Sequence, residues 1–479
     1  MPSVTPTPTL LSLGGALALF SAVAHAVHPV VVEGQDFVNS VTKQRLMIVG
    51  VDYQIGGESG YKPATKQDPL TNGEVCLRDA AILQRLGVNT IRVYNLDPAA
   101  NHDDCASIFN AAGIYMVLDV NSPFESIHRL NPAPSYTKAY LSRVFAMVEN
   151  FKNYPNTLAF FSGNELINDV ATAGANPPYI RAVTRDLKQY IAKNAPRSIP
   201  VGYSMADVRD VLKDTWNFVQ CDLAGETDSS SDFFGLNSYS WCGDASYKSS
   251  GYDVLTDLFK TSTIPVFFSE YGCNEVKPRI FTEVAALYSK DMTTMSGGLV
   301  YEYSQEANEF GLVDVADDKI TLRTDFDNLQ AQYNKLDLSL IQATNSSAIA
   351  LKAPKCDKSL ISSSSFNTTF KIPAQPSGVA DIIKNGLPNQ VVGKLVTVKE
   401  TAVSMAVYSS DGKTKLTGLT LTILADNATN TPGGKNTSAG TGTSNSTTTT
   451  GGQSKSDGNR LTAATAALAT VFAIALALL

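Results

Sequence analysis

The chain predicts an α/β fold, a (β/α)8 barrel carrying a small C-terminal β-rich module and a Ser/Thr-rich stalk. From Leu46 to about Val313, short apolar runs alternate eight times with amphipathic helical segments. Two of those runs end on a glutamate, Glu165 in Leu158-Ala-Phe-Phe-Ser-Gly-Asn-Glu165 and Glu270 in Ile264-Pro-Val-Phe-Phe-Ser-Glu270. Such strand ends lie where a parallel barrel opens to solvent. No Gly-x-Gly-x-x-Gly turn follows the first run, which argues against a doubly wound open sheet.

The strands read in order are Leu46–Val51, Thr90–Tyr94, Ile114–Val120, Leu158–Phe161, Ile199–Tyr203, Phe233–Tyr239, Ile264–Ser269 and Gly298–Tyr303. Helical periodicity fits between them, as in Cys76–Leu86, Tyr136–Phe151 and Pro178–Lys193. With its approach and last helix the barrel takes residues 27–340. Beyond it, Lys394–Lys399, Ala402–Tyr408 and Leu416–Ile423 alternate as half-buried strands do, and residues 341–425 read as the β-rich module packed on the barrel. Residues 426–452 are mostly Ser, Thr, Gly and Asn, a composition that cannot bury a core, and they read as a stalk.

Both ends read as targeting segments. An apolar stretch from about Leu10 to Val23 precedes Ala24-His25-Ala26, so residues 1–26 read as a secretory signal peptide, with a short membrane anchor as the alternative. Residues 453–479 place a polar spacer with Lys455, Asp457 and Arg460 before an uncharged apolar tail, the order of a GPI-attachment signal. The expected attachment residue is Gly452, with Asn445, Ser454 and Ser456 as rivals, and a membrane-spanning tail as the other reading. The expected location is the extracellular face of the plasma membrane, with the cell wall as a second expected location.

The formal charge of −7 leaves no basic footprint for nucleic acid. Six cysteines in a secreted chain imply three disulfides. Cys242 lies three residues after Tyr239 and Cys273 three after Glu270, at matching heights on neighbouring strands. Cys76 and Cys105 open successive helices. These placements give Cys76–Cys105 and Cys242–Cys273, and leave Cys221–Cys356 to tie the last part of the barrel to its body. No Cys-x-x-Cys or His-x-x-x-His spacing suggests a metal, and no cofactor is expected. The Asn-x-Ser/Thr acceptors Asn345, Asn367, Asn427, Asn436 and Asn445 all follow the barrel, so N-linked glycans would leave its mouth clear.

Two carboxylates opposed across a barrel mouth, about 5–5.5 Å apart, suit a retaining cleavage of a glycosidic bond. A lone strand-end glutamate is more often a surface or salt-bridge residue. Two of them, in Asn-Glu and Ser-Glu-Tyr-Gly contexts on the fourth and seventh strands, favour chemistry. Glu165, beside Asn164, reads as the acid/base with a raised pKa. Glu270 reads as the nucleophile with a depressed pKa, oriented by Arg92 and Tyr239. Arg92 has a second reading as a partner in a structural ion pair of the barrel.

Tyr53, Tyr94, Tyr239, Trp241, Tyr271, Tyr301 and Tyr303 gather at the same face, where sugar rings could stack on them, although half could be core. Tyr301 and Tyr303 share one strand face and are preferred, whereas Glu302 points away and reads, with Glu306, as structural. The loop Asp119–Arg129 is a binding candidate through Asn121 and Arg129, with His128 a hydrogen-bonding residue rather than a metal ligand.

Taken together, Gly50-Val-Asp-Tyr-Gln54, Thr90-Ile-Arg-Val-Tyr94, Leu118-Asp-Val-Asn-Ser-Pro123, Ser162-Gly-Asn-Glu165, Phe267-Phe-Ser-Glu-Tyr-Gly-Cys-Asn274 and Gly297-Gly-Leu-Val-Tyr-Glu-Tyr303 resemble the fungal GPI-anchored β-1,3-glucanosyltransferases of glycoside hydrolase family 72. The resemblance spans residues 29 to 425. It implies that a β-1,3-glucan donor is cut internally and transferred to the non-reducing end of a second β-1,3-glucan, elongating wall glucan. It also implies Glu165 as acid/base and Glu270 as nucleophile, with Gln54, Tyr94, Asn164, Asp207, Tyr239 and Tyr301 or Tyr303 in the subsites. Arg209 matches no subsite arginine of the family. No cysteine follows Cys356, which looks like the subgroup without a cysteine-rich carbohydrate module. A β-glucan hydrolase or a non-catalytic glucan-binding wall protein are the competing readings.

Overall fold

The computed structural model describes residues 27–62, 65–316, 319–342 and 351–433. The targeting segments, Asn345, Asn436, Asn445 and Gly452 therefore lie outside the described residues. Among those described, no helix is long and apolar enough to cross a membrane.

The chain opens with an antiparallel hairpin, β1 (Val30–Glu33) and β2 (Asp36–Asn39), which the sequence reading missed. Eight strands then close a parallel barrel: β3 (Ile48–Tyr53), β4 (Thr90–Val93), β5 (Tyr115–Asp119), β6 (Thr157–Asn164), β7 (Val201–Ala206), β8 (Phe233–Asn237), β9 (Val266–Tyr271) and β10 (Gly297–Val300). Each expected strand is present, and β10 returns to pair with β3. The intervening helices are α1 (Gly73–Leu86), α2 (Asp103–Ala111), α3 (Lys138–Phe151), α4 (Pro177–Asn194), α5 (Arg209–Gln220), α6 (Tyr252–Phe259) and α7 (Glu283–Leu287). Local chemistry sets their ends. For α1, the Asn72 side chain accepts from the Glu74 and Val75 amides, and Gly87 at φ 91° stops the helix in the left-handed region.

The lower half of the barrel is an aromatic plug. Phe161 and Phe233 pack with ring centroids 5.2 Å apart, and Phe37 of the hairpin closes the floor 5.7 Å from Phe233 and 5.8 Å from Phe267. Water is therefore excluded from below, and the polar groups collect at the upper end. The core outside the barrel lies between strands and helices. There Tyr53 and Tyr303 both donate to the buried Asp79 carboxylate at 2.8 Å.

After β10 the chain forms a second small sheet from β11 (Val313–Ala316) and β12 (Lys319–Leu322), followed by α8 (Thr324–Tyr333) and the short α9 (Leu338–Ile341). Residues 351–433 then run backwards around the barrel as a belt. Ser362 and Ser363 donate to Asp214 on α5, and Phe370 stacks on Phe218 with centroids 4.7 Å apart. The helix α10 (Val379–Asn385) meets α4, where Asn194 donates to the Ile383 carbonyl. Val396 N–H donates to Ser107 on α2, and Thr422 N–H to Gln84 on α1. One segment, β13 (Ala406–Tyr408), joins β12 and completes the three-stranded sheet. Lys394–Lys399 and Leu416–Ile423 are extended without a regular ladder, because their backbone groups bond instead to barrel helices and isolated bridges. The chain stays docked through Asn430 at the base of the barrel, so the expected stalk cannot begin at 426.

All three expected disulfides form. Cys76–Cys105 joins α1 to α2, Cys242–Cys273 joins the loops after β8 and β9, and Cys221–Cys356 anchors the start of the belt, with Cα separations of 5.3, 5.1 and 5.0 Å.

Candidate active site

Parallel strands end together at one rim, so residues one step past each apolar run are brought face to face. Glu270, near the end of β9, is 8% exposed. Its Oε1 accepts from Tyr94 at 2.9 Å and from Arg92 at 3.3 Å, and its Oε2 accepts from Tyr239 at 2.7 Å. The ends of two strands, β4 and β8, thus supply three donors to one carboxylate.

Arg92, fully buried, is held by a two-point ion pair with Asp119 at 2.8 and 3.1 Å and lies over the Tyr94 and Phe161 rings at 4.3 and 4.4 Å. Both readings of Arg92 therefore hold: it is a partner in a barrel ion pair and a donor to Glu270. Burial opposes its charge, while Asp119, Tyr94 and Glu270 hold that charge in place.

Glu165 follows β6 directly and turns the chain at φ 48°, a conformation uncommon outside glycine that tends to cluster at functional sites. Its amide donates to the Ser204 carbonyl at 2.9 Å. Its carboxylate accepts from Asn237 Nδ2 at 2.8 Å, and the same amide group reaches Asn164 Oδ1 at 3.2 Å. The Asn237 carbonyl accepts in turn from Ser269 at 2.7 Å and Ser204 at 3.1 Å, which fixes the orientation of its amide.

The expected depression of the Glu270 pKa is not what the structure produces. Burial pushes the carboxyl up to about 7, against the Arg92 charge and with the Glu165 charge adding to the rise. The reason is geometric: Arg92 is shared with Asp119, and the aromatic floor removes water. Burial also pushes the Tyr94 and Tyr239 phenols up, which keeps both as hydrogen-bond donors. Asp52, buried beneath this cluster, is likewise held well above the usual carboxylate range by desolvation.

The other expected residues divide. Tyr301 sits at the rim in a trio with Tyr239 and Phe310, with centroids 6.3 and 5.3 Å from it. Asp207 accepts from Ser238 at 2.7 Å and pairs with Arg209, and Gln54 lines a depression beside the mouth. Asn121 Oδ1 accepts from Tyr140, whereas Arg129 and His128 are exposed on the loop after β5. Tyr303 is displaced from the site. The strand ends at Val300, the alternation that grouped Tyr301 with Tyr303 stops there, and the Tyr303 hydroxyl turns outward to Asp79. Tyr53, Trp241 and Tyr271 are also core. Glu302 is fully buried, holds Asn308 at 2.9 Å and is raised to about 7 by burial.

Asn237, Asp119, Asp52 and Phe310 escaped the sequence reading as site residues. Asn237 carried a usable signal, a polar residue at the end of the strand next to the one bearing Glu270.

A family model described as glucanosyltransferase, glycoside hydrolase family 72, matches residues 19–337. The chain is 55% identical over 430 residues to the 1,3-beta-glucanosyltransferase gel2 of Aspergillus fumigatus, covering 89% of each protein. It is 46% identical over 405 residues to the probable 1,3-beta-glucanosyltransferase GAS3 of Saccharomyces cerevisiae, covering 80% of this chain and 77% of that protein. Among solved structures, a Glu-to-Gln mutant of Saccharomyces cerevisiae Gas2p in complex with laminaritetraose and laminaripentaose aligns with a TM-score of 0.65 and 36% identity, over 73% of this chain and 75% of that one. With the barrel, the paired glutamates and these relatives in agreement, the chain belongs to the glucanosyltransferase family, glycoside hydrolase family 72.

Proposed function

We propose that this protein is a retaining β-1,3-glucanosyltransferase that cuts one β-1,3-glucan internally and joins the freed portion to the non-reducing end of another. The observation that carries the reading is the pairing of a buried Glu270, held by Arg92, Tyr94 and Tyr239, with a Glu165 held by Asn237.

In the first step a Glu270 oxygen attacks the anomeric carbon and the glycosidic C–O bond breaks. Glu165 gives its proton to the departing oxygen, leaving a glycosyl ester on Glu270. The charge of Glu165 is one cause of the raised Glu270 pKa, so a proton on Glu165 removes that repulsion and favours the ionised Glu270 that attack requires. In the second step Glu165 takes a proton from an acceptor hydroxyl, whose oxygen displaces Glu270 and restores the β configuration. Tyr94 and Tyr239 donate to Glu270 when it is free and cease to be needed by whichever oxygen forms the ester.

The test is product analysis on reduced linear β-1,3-gluco-oligosaccharides. Products both longer and shorter than the substrate support transfer, and shorter products alone would make the protein a hydrolase.

The terminal segments support secretion and GPI anchoring at the outer face of the plasma membrane. Residues 424–430 dock against Ala111, Gly113 and α1 at the barrel base, the end opposite the cleft. Release of the protein from intact cells by a phosphatidylinositol-specific phospholipase tests the anchor.

A further inference from the structure

The floor of the site holds a carboxyl that has no part in the two steps above. Asp52, near the end of β3, is fully buried, and neither of its oxygens has a hydrogen-bond partner among the described residues. Buried polar atoms are nearly always satisfied, so an orphaned carboxyl calls for a reason.

Register fixes where its side chain points. Asp52 lies beside Arg92 in the parallel pairing of β3 with β4, and neighbours in such a pair project from the same face of the sheet. Arg92 projects into the barrel, over the Phe161 ring and toward Glu270, so Asp52 enters the same layer. Four groups act on it there: Arg92 and Tyr94 from β4 and its end, Glu270 from β9, and Glu302 from the segment after β10. The Arg92 guanidinium gives two hydrogen bonds to Asp119, one to the Ser269 carbonyl at 3.2 Å and one to Glu270, and none to Asp52. Beside two other carboxyls, with this cation already claimed, an ionised Asp52 would be a buried charge without a counter-ion. Burial accordingly holds its carboxyl well above the ordinary range.

Tyr94 decides what the retained proton is for. A phenol has one proton, and that of Tyr94 goes to Glu270 Oε1 at 2.9 Å. Toward Asp52 the same oxygen can offer only its lone pairs. A carboxylate would be repelled by them, whereas a carboxylic acid can donate to them. A donor on the Tyr94 oxygen also polarises its O–H and so strengthens the hydrogen bond onto Glu270.

We propose that Asp52 is a positioning residue: it remains a neutral carboxylic acid through the reaction, donates its hydrogen bond to the Tyr94 oxygen, and so keeps the Tyr94 proton directed at the nucleophile. This role rests on the β-1,3-glucanosyltransferase reading, which needs an ionised Glu270. Two variants test it, Asp52→Leu, which removes the donor, and Asp52→Asn, which keeps an uncharged donor of the same shape. Asp52→Leu should lower kcat about tenfold with a smaller change in KM, and Asp52→Asn should recover most of that loss. The acidic limb of the kcat/KM profile, which reports the ionisation of Glu270, should move to higher pH in Asp52→Leu and stay in place in Asp52→Asn. Added to Tyr94→Phe, Asp52→Leu should cost little further, because its effect passes through the phenol. Infrared difference spectra at pH 8 should show the C=O stretching band of a protonated carboxyl in wild type that is lost in Asp52→Asn. An acidic limb that moves to lower pH in Asp52→Asn would mean that a charge had been removed, and overturns the neutral acid. A missing infrared band does the same even where Asp52→Leu does not fold. A kcat for Asp52→Leu equal to wild type, or a full further loss on top of Tyr94→Phe, overturns the link to Tyr94. Wild-type enzyme that makes no longer products overturns the transferase reading instead, while the infrared band and the pH profile of donor cleavage still decide the state of Asp52.

Discussion

Asn237 donates a 2.8 Å hydrogen bond to Glu165 from the strand adjoining the one that carries Glu270. Because its carbonyl is already claimed by Ser269 and Ser204, the amide can present only its donor side to the acid. Asn237 is a positioning residue by this geometry. Asn237→Ala should lower kcat about 10- to 100-fold, the worth of one hydrogen bond to a charged group, with a smaller change in KM. An unchanged kcat in steady-state assays would show that Glu165 needs no such support.

The two glutamates should separate in a chemical-rescue experiment. Glu165→Ala and Glu270→Ala should each reduce transfer by about a thousandfold or more. Added azide should then attack the glycosyl-enzyme formed by Glu165→Ala and give a product that keeps the β configuration. With Glu270→Ala, azide must attack from the face the nucleophile used and give the α-glycosyl azide. The anomeric configuration of the two azides, read by NMR, assigns the roles, and an opposite outcome reverses them.

Tyr301 and Tyr303 stand two residues apart and should fail differently. Tyr303→Phe removes a 2.8 Å hydrogen bond to the buried Asp79 and should cost about 1–3 kcal/mol of stability with kcat retained. Tyr301→Phe, at the rim beside Tyr239 and Phe310, should leave the melting temperature within a degree or so and alter kcat/KM instead. Thermal melts and steady-state kinetics on the same preparations check both.

The contrast between those tyrosines shows what the sequence could and could not reveal. Eight apolar runs are legible because a parallel strand must be apolar along its whole length, and Glu165 and Glu270 are legible because they interrupt such runs at their ends. The disulfides follow from heights along neighbouring elements. Tyr303 was misplaced because alternation holds only while a strand continues, and β10 stops at Val300. The belt is harder still. Leu416–Ile423 alternates like a strand, yet Thr422 bonds to Gln84 of α1 rather than to a regular ladder, and periodicity cannot distinguish a helix surface from a sheet as the thing that buries a face. Asn237 shows in the pattern only as a polar residue at a strand end, because its role depends on four side chains from three other strands.

Stability should fall from mildly acidic to mildly alkaline pH. Burial raises Glu270, Glu283 and Glu302 to about 7 from an ordinary 4.5, and raises Asp52 as well. Between those values the folded protein binds more protons than the unfolded chain, so unfolding releases protons and a rising pH favours it. The contribution is complete below the unfolded pKa and is lost as pH climbs through 7. Exposed carboxylates with lowered pKa, such as Asp411, act in the opposite sense only at more acidic pH. Melting temperatures should therefore be several degrees higher at pH 5 than at pH 8. Glu283→Gln, away from the site, should flatten part of that slope, and a melting temperature that rises with pH over this interval would contradict the burial argument.

A residue near the end of the described belt offers a test of where its hold on the barrel lies. Asn430 is fully buried, its side chain donates to the Gln84 and Val88 carbonyls at 3.0 and 2.8 Å, and its amide donates to the Gly113 carbonyl at 2.9 Å. Gly113 has φ 74°, and a Cβ there would stand 2.7 Å from the Asn430 nitrogen, so the approach needs glycine twice over, for its backbone and for its lack of a side chain. Asn430→Ala leaves two buried carbonyls without that donor and should cost about 1–3 kcal/mol. Gly113→Ala should do at least as much by forcing the segment away. Both changes lie at the base, with the aromatic plug between them and Glu270, so kcat on oligosaccharides at a temperature well below the melting transition should match wild type. A melting temperature equal to wild type for Asn430→Ala would mean that the belt is held by its earlier contacts alone, at Cys356, Asp214 and Ser107.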